Sequence, residues 1–163
     1  MTDERRDVQQ VVSRFFLAMD RFDWDAIAAV VDDEMTLVAG AYIEDPPAPA
    51  SRDRFMQELI DRNGGFSLPG HGSYHGNSGH VVDVNGDSAH VRSHMYGSHW
   101  VGPEPTDEFH ALGMYDVELR RTAHGWRIRR LAVIPLFTDG APAASIMARA
   151  HDAWHASAAR AGD

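Results

Sequence analysis

No cysteine occurs among the 163 residues. Disulfides, thiolate metal sites and a cysteine nucleophile are excluded, and a reducing, cytoplasmic setting fits. No basic leader followed by an apolar run opens the chain, and no apolar stretch approaches the roughly 20 residues needed to span a bilayer, so no membrane role is expected. Positive charge is also scarce. Fifteen Lys and Arg stand against 24 Asp and Glu, for a formal charge of −9, and no basic stripe offers nucleic acid a footprint. A glycine-rich phosphate loop, a dinucleotide fingerprint and a G-x-S-x-G nucleophile elbow are all missing, so no cofactor is expected. There is no internal repeat.

What is present is length enough for one domain with a sizeable core, at 44% hydrophobic and 24% charged residues, ordinary values for a globular protein. Ten histidines are the unusual item. From about Glu4 to Asp20, Val8, Val11, Val12, Phe15, Phe16 and Met19 follow the spacing of a buried helical stripe. Asp23 can cap a second helix with Trp24, Ile27, Ala28 and Val31 inward. "MTLVAGAY" reads as a strand and "EDPPAPAS" as a loop. Ser51 is a candidate cap for a third helix carrying Phe55, Met56, Leu59 and Ile60, which "NGG" stops.

The second half is strand-like. In "GHVVDVNGDSAHVRSHMYGSHWV", Asn85-Gly86 is the favoured pair for a tight hairpin turn. "FHALGMYDVELRR", "TAHG" and "WRIRRLAVIPLF" form a second hairpin. Helices first and antiparallel strands after predict an α+β fold, with helices packed on one face of a curved sheet. An alanine-rich helix is expected from about Ala143 to Ala161. The boundaries read as a domain over 1–140 with a helical extension of the same domain over 141–163.

Asp20 is the first candidate for chemistry. If the first helix reaches it, its carboxylate continues a row of core residues and needs a partner, because a buried unpaired charge is costly. If the helix ends at Met19, Asp20 only shapes the turn with Asp23. The second candidate is "GSYHGNSGH", a glycine-rich segment read as a loop, with His75 and Asn77 as its polar members and His71 and His80 flanking. An aspartate beside a neutral imidazole fixes its tautomer and makes it a better base, so Asp20 and His75 would satisfy each other. The competing reading is a histidine bonded to backbone. Third, strand alternation sets Ala89, Val91, Ser93, Met95, Gly97, His99 and Val101 on the inner face, and His90 and His94 outside or at a dimer contact. A bulge at Gly97 would reverse that order beyond it. His90 and His94 are too far apart along a strand to share an ion. His151 and His155 stand at i and i+4 on a helix but lack the glutamate of H-E-x-x-H, so no metal site is assigned. Tyr42, Tyr115 and Trp126 line a pocket or fill the core.

"FLAMDRFDWDAIAAVVDDEMTLVAG", "SYHGN", "VNGDSAHVRSHMY" and "LRRTAHGWRIRRLAV" resemble the SnoaL-like branch of the nuclear transport factor 2-like superfamily, over roughly residues 8–138. The resemblance implies a cone: a strongly curved antiparallel sheet wrapped on the N-terminal helices, with an apolar pocket at the wide end. Members include scytalone dehydratase, hexachlorocyclohexane dehydrochlorinase, ketosteroid isomerases, epoxide hydrolases and polyketide cyclases, along with non-catalytic subunits. The dehydratase and dehydrochlorinase types use an aspartate late in the first long helix and a histidine before the first long hairpin, positions that match Asp20 and His75 here. "HGN" is similar to the dehydrochlorinase's H-Y-G-T-N. Met19 departs from the tyrosine that precedes scytalone dehydratase's aspartate, and either His94 or His99 can match that enzyme's second histidine.

The reading is therefore a cofactor-independent proton-abstraction enzyme of dehydratase, isomerase or cyclase type, acting on a hydrophobic cyclic or polyketide-like small molecule. Asp20 and His75 are its catalytic pair. His99, Tyr42, Tyr115 and Asn77 are candidate substrate-binding residues with polar groups, and Met19, Met95, Trp24 and Met114 are candidate lining. A homodimer is expected, since members of this fold often pair. The alternative is a ligand-binding or assembly module on the same scaffold, in which Asp20 and His75 are a buried structural pair.

Overall fold

The computed structural model describes residues 4–39 and 47–161. Tyr42 lies outside them. Helix α1, Glu4–Arg21, buries the expected stripe from Val8 to Met19. It ends on Phe22, whose φ of 55° is left-handed. The Phe22 N–H donates to the Met19 carbonyl at 3.2 Å and the Asp23 N–H to the Ala18 carbonyl at 3.0 Å. This is the paired closure that usually employs glycine. Phenylalanine is a costly choice for it, by about 1–2 kcal/mol of backbone strain. The closure carries the helix past Met19, so Asp20 is helical.

Asp23 caps α2, Trp24–Val30, by accepting the Ala26 N–H at 3.0 Å. Val31, expected on that helix, is extended instead and opens β1, Val31–Ala39. A β-branched residue with its side chain fully buried satisfies strand packing equally well. A short β2, Ala50–Ser51, leads into α3, Arg52–Asn63, where Ser51 caps as expected. "NGG" ends α3, and a 3-10 turn, Gly64–Ser67, follows.

Strands β3 (Gly72–Asn85), β4 (Ser88–Trp100), β5 (Glu108–Thr122) and β6 (Gly125–Gly140) form two hairpins. The sheet order is β2-β1-β6-β5-β4-β3. It is curved and mostly antiparallel, and β1 joins β6 in parallel. At the first hairpin the tip is Gly86-Asp87 rather than Asn85-Gly86: Asn85 pairs with Ser88, and Gly86 takes φ 59°. "GSYHGNSGH" is strand, not loop. It forms the start of β3, an edge strand whose register breaks between Ser78 and Val81 around Gly79 at φ 64°. Its glycines thin the strand rather than unfold it. The inner face of the sheet, with Val91, Met95, Tyr115, Val117 and Ile128 buried, packs on α1.

Helix α4, Ala143–Ala161, matches the expected terminal helix. Ile146 and Ala150 join Phe66 and Val101 in a second apolar cluster. The backbone of the 3-10 turn lies so close to α4 that a Cβ on Gly65 would collide with the Ala150 carbonyl, and one on Gly64 would sit 2.7 Å from the Trp154 ring.

Candidate active site

Asp20 occupies the last turn of α1 and His75 the start of β3. The His75 Nδ1–H donates to Asp20 Oδ1 at 2.7 Å, and the His75 backbone N–H donates to Oδ2 at 3.1 Å. Both oxygens are thus held by one residue 55 positions away. The side chains are 19% and 13% exposed. A carboxylate at a helix C-terminus faces the negative end of the macrodipole, which disfavours it; the two donors from β3 offset this. With Nδ1 committed to Asp20, the lone pair of a neutral His75 resides on Nε2.

The surrounding rings fix the imidazole. Phe16 stacks at 6.2 Å between centroids, and His99 meets it edge-on at 5.0 Å. Strand β4 runs in unbroken register with β5 through Gly97, so His99 faces inward and His94 outward. Phe66 and Phe109 pack on His99 at 5.0 and 6.3 Å. Burial pushes the His99 pKa down to about 3; the neighbouring His75 lowers it further and Asp20 opposes. Its Nδ1 is buried without a hydrogen-bond partner. Tyr115 is buried under Phe16 with ring centroids 4.1 Å apart, and burial first, then the Asp20 charge, raises its pKa well above the usual value. Its hydroxyl stays protonated across the neutral range.

A cavity of about 570 Å³ is lined by Phe16, Asp20, His75, Asn77 and Met95 on its inner side. Ser13, Leu17, Tyr74, His94, Tyr96 and Leu112 extend it to the outside beside the edge strand, so of the two β4 histidines it is His94 that borders this cavity. Of the residues read from the sequence, Asp20, His75, Asn77 and Met95 meet there. His99 meets the His75 ring directly, and Tyr115 stacks on Phe16, which in turn stacks on His75. Asn77 Oδ1 accepts from His80 Nε2 at 2.9 Å, and the His71 ring bonds the Gly65 carbonyl at 2.8 Å, the backbone role a histidine in such a segment commonly takes. Met19 is core. Trp24 is half-buried against the core, near Phe22 at 6.0 Å. Met114 is 41% exposed on the outer face, because alternation along β5 sends Tyr115 inward and its neighbour out; as interior lining it is a correction. Phe16, Phe66 and Phe109 were not singled out as ring partners. Phe16 was one of six residues of a helical stripe, and only its position one turn before Asp20 marked it.

The model of the SnoaL-like domain matches residues 1–132. The chain belongs to this family. Among solved structures, a protein from Kribbella flavida superposes with a TM-score of 0.72 at 25% identity, covering 83% of this chain and 93% of its own. A candidate aromatic ring hydroxylase from Novosphingobium aromaticivorans gives 0.70 at 19% identity, covering 91% and 96%. A candidate scytalone dehydratase from the same organism gives 0.68 at 19%, covering 88% and 97%. These likenesses establish the nuclear transport factor 2-like cone. No curated protein matches the sequence. Among the described residues no helix is long and apolar enough to cross a membrane.

Proposed function

We propose that this SnoaL-like protein is an enzyme that removes a proton from carbon, with His75 as base and Asp20 as the group that orients it. The supporting observation is the 2.7 Å Nδ1–Oδ1 hydrogen bond beside a second histidine that burial keeps neutral. Two imidazoles 5.0 Å apart cannot both become cations at low cost. Burial denies the charge to His99, so the proton goes to His75, whose cation Asp20 stabilises.

In the reaction as proposed, Nε2 of His75 takes the proton α to a carbonyl and the C–H electrons move to the carbonyl oxygen. Return of that pair forms the C=C bond and expels a β-hydroxyl, which leaves as water with the proton from Nε2. Each step uses groups of this chain and the substrate. Positioned base catalysis supplies typically 10²–10⁴-fold. Neutral His99 and the protonated Tyr115 hydroxyl, which lie behind the cavity lining, are the proposed donors to the developing enolate of a substrate that reaches past His75 to them, where preorganised donors are worth most. The proposed substrate is a cyclic or polyketide-like β-hydroxy carbonyl compound, its apolar body against Phe16 and Met95 and a polar substituent at Asn77.

Incubating the protein in D₂O with a panel of such compounds tests this directly. Deuterium entering the α carbon, or an enone forming, is expected for at least one cyclic member. No exchange above buffer across the panel would remove the proposal.

We also propose a homodimer formed through the outer face of the sheet. Tyr96, Leu112 and Phe137 lie in register across β4, β5 and β6 and are all exposed, the first two also bordering the cavity, so that a partner seated on this row would cover its outer side. An apolar row of this kind is a common mark of an interface.

A further inference from the structure

Away from this cavity, the packing of α4 on α3 brings together three side chains with metal-binding chemistry. His155 Nε2 is 2.9 Å from Asp61 Oδ1 and His151 Nε2 is 3.4 Å from Asp61 Oδ2. The two rings stand 4.4 Å apart, and one ligand atom from each of the three residues falls within 4.8 Å of the others. From their arrangement we propose that Asp61, His151 and His155 form a binding site for a borderline divalent cation such as Zn²⁺.

Residues four apart on a helix share one face, so the two imidazoles approach a common point without rearrangement of α4. Both aim the same nitrogen at one carboxylate, His155 at hydrogen-bond distance from Oδ1 and His151 farther off at Oδ2, a convergence that a cation between the three groups would satisfy. Imidazole with carboxylate suits Zn²⁺, Co²⁺ or Ni²⁺ rather than Mg²⁺ or Ca²⁺, which prefer all-oxygen shells. Three protein ligands leave one position for water in a tetrahedral site. For the Nε2 lone pairs to face the metal, each neutral ring must carry its proton on Nδ1. In His151 that atom stands 3.6 Å from Asp152 Oδ1. At that separation the carboxylate is beyond hydrogen-bond reach and would have to close on the ring to act as the outer-shell partner that fixes this tautomer. All three ligands are about half exposed, so an ion enters from solvent without opening the fold.

The consequence is mechanical. Ile146 and Ala150 seat α4 on Phe66, which packs against His99. His151 and His155 lie in the next turns of that helix. An ion joining them to α3 would clamp α4 and so stiffen the wall behind His99. The sequence motif pairing His151 with His155 lacks the glutamate of a zinc protease; the third ligand comes from a different helix, which spacing along the chain does not reveal.

The test uses the full chain, produced without a histidine tag and stripped with chelator. Zinc titration by calorimetry should show one saturable equivalent with a rise in Tm, and Co²⁺ should give ligand-field absorption of a four- or five-coordinate site. Asp61→Asn, His151→Ala and His155→Ala should each weaken binding by more than about tenfold, while their Tm in chelator stays near wild type. His124→Ala, in the β5–β6 turn, should bind as wild type does. Absence of saturable binding in wild type, or equal binding by the His151→Ala/His155→Ala double variant, would overturn the proposal.

Discussion

Asp20→Asn separates a catalytic pair from a structural one. The carboxylate accepts two hydrogen bonds, from His75 Nδ1–H and from the His75 backbone N–H. Asparagine has one acceptor oxygen and one NH₂. If its oxygen takes the backbone N–H, the NH₂ faces Nδ1 and drives the ring to the tautomer with its proton on Nε2, where the base must be empty. If its oxygen takes Nδ1–H, two N–H groups meet at the other contact, leaving one donor unsatisfied at about 1–3 kcal/mol. The first arrangement is therefore favoured and turnover is lost. The equivalent exchange in the Ser-His-Asp triad lowers kcat about 10⁴-fold through the wrong tautomer, and we expect a loss of about 10³–10⁴-fold in α-carbon deuterium exchange. Stability should change far less. The lost charge-assisted bond is partly offset by removing a carboxylate from the negative end of α1, about 0.3–1 kcal/mol. The expected cost is below about 2 kcal/mol by urea denaturation, against about 3–5 kcal/mol for breaking a purely structural buried pair. Nitrogen-15 NMR of His75 reads the tautomer independently of any substrate. A variant that keeps its proton on Nδ1 and exchanges deuterium within twofold of wild type would refute the reasoning, and a cost above about 3 kcal/mol with no activity in either protein would favour the structural module.

Three further outcomes are expected. His99 has a folded pKa far below its unfolded value, so the unfolded chain gains a proton first as pH falls; stability should be lost from about pH 6.5 downward by about 1.4 kcal/mol per pH unit, a slope that His99→Gln removes, and parallel denaturation curves for the two proteins between pH 7 and 5 would contradict it. Gly65→Ala should lift α4 from the 3-10 turn at a cost of about 1–3 kcal/mol, with faster amide exchange across Ile146–Ala150; unchanged protection there would mean that α4 is not seated by this contact. Leu112→Asp with Phe137→Asp should convert a dimer to a monomer in sedimentation velocity, and a wild-type monomer would dispose of the outer-face interface.

The sequence made most of the architecture legible because its signals were periodic. Val8 through Met19 keep helical spacing over three turns, and the strands alternate cleanly enough that β4's inner set is buried as expected from Ala89 to Gly97; beyond it Ser98, expected outside, is buried too and His99 is half-buried. What failed was local. "GSYHGNSGH" looked like a loop because glycine is poor in strands, yet pairing with β4 supplies the hydrogen bonds that override propensity. Val31 passed from helix to strand for the same reason: tertiary packing outweighs a preference of a few tenths of a kcal/mol. Of the site, Asp20 and His75 were paired from their chemistry and from the family resemblance rather than from spacing, since nothing in the spacing fixes the end of α1. That end depends on Phe22 adopting a left-handed conformation, for which phenylalanine gives no warning. His99 was placed inward by alternation alone, whereas its contacts with Phe66 and Phe109 come from three separate segments.

The strongest support for chemistry at this end of the cone is that several local choices there oppose stability. Phe22 holds a backbone conformation that glycine would adopt without strain. Asp20 places negative charge where the helix dipole repels it. His99 buries an Nδ1 with no partner, which costs about 1–3 kcal/mol. Each could be relieved by a single substitution, whereas the buried Asp32 takes two bonds from Arg120 at 2.7 and 2.8 Å; among the described residues Ser93 Oγ, opposite Tyr115 on the sheet, is the other buried side-chain atom without a partner. Local conflict that gathers at one place is the pattern expected of a functional site. The three share a geometric purpose. Phe22 ends α1 one residue beyond the turn that carries Asp20, Asp20 turns His75, and His99 stands neutral beside it. Phe22→Gly therefore discriminates further than a loss-of-function change. Freed of strain but no longer held by its ring, α1 should fray at Asp20, so the His75 tautomer should become mixed while global stability changes by less than about 1 kcal/mol. A variant with an unchanged tautomer would show that the strain at Phe22 has nothing to do with the pair.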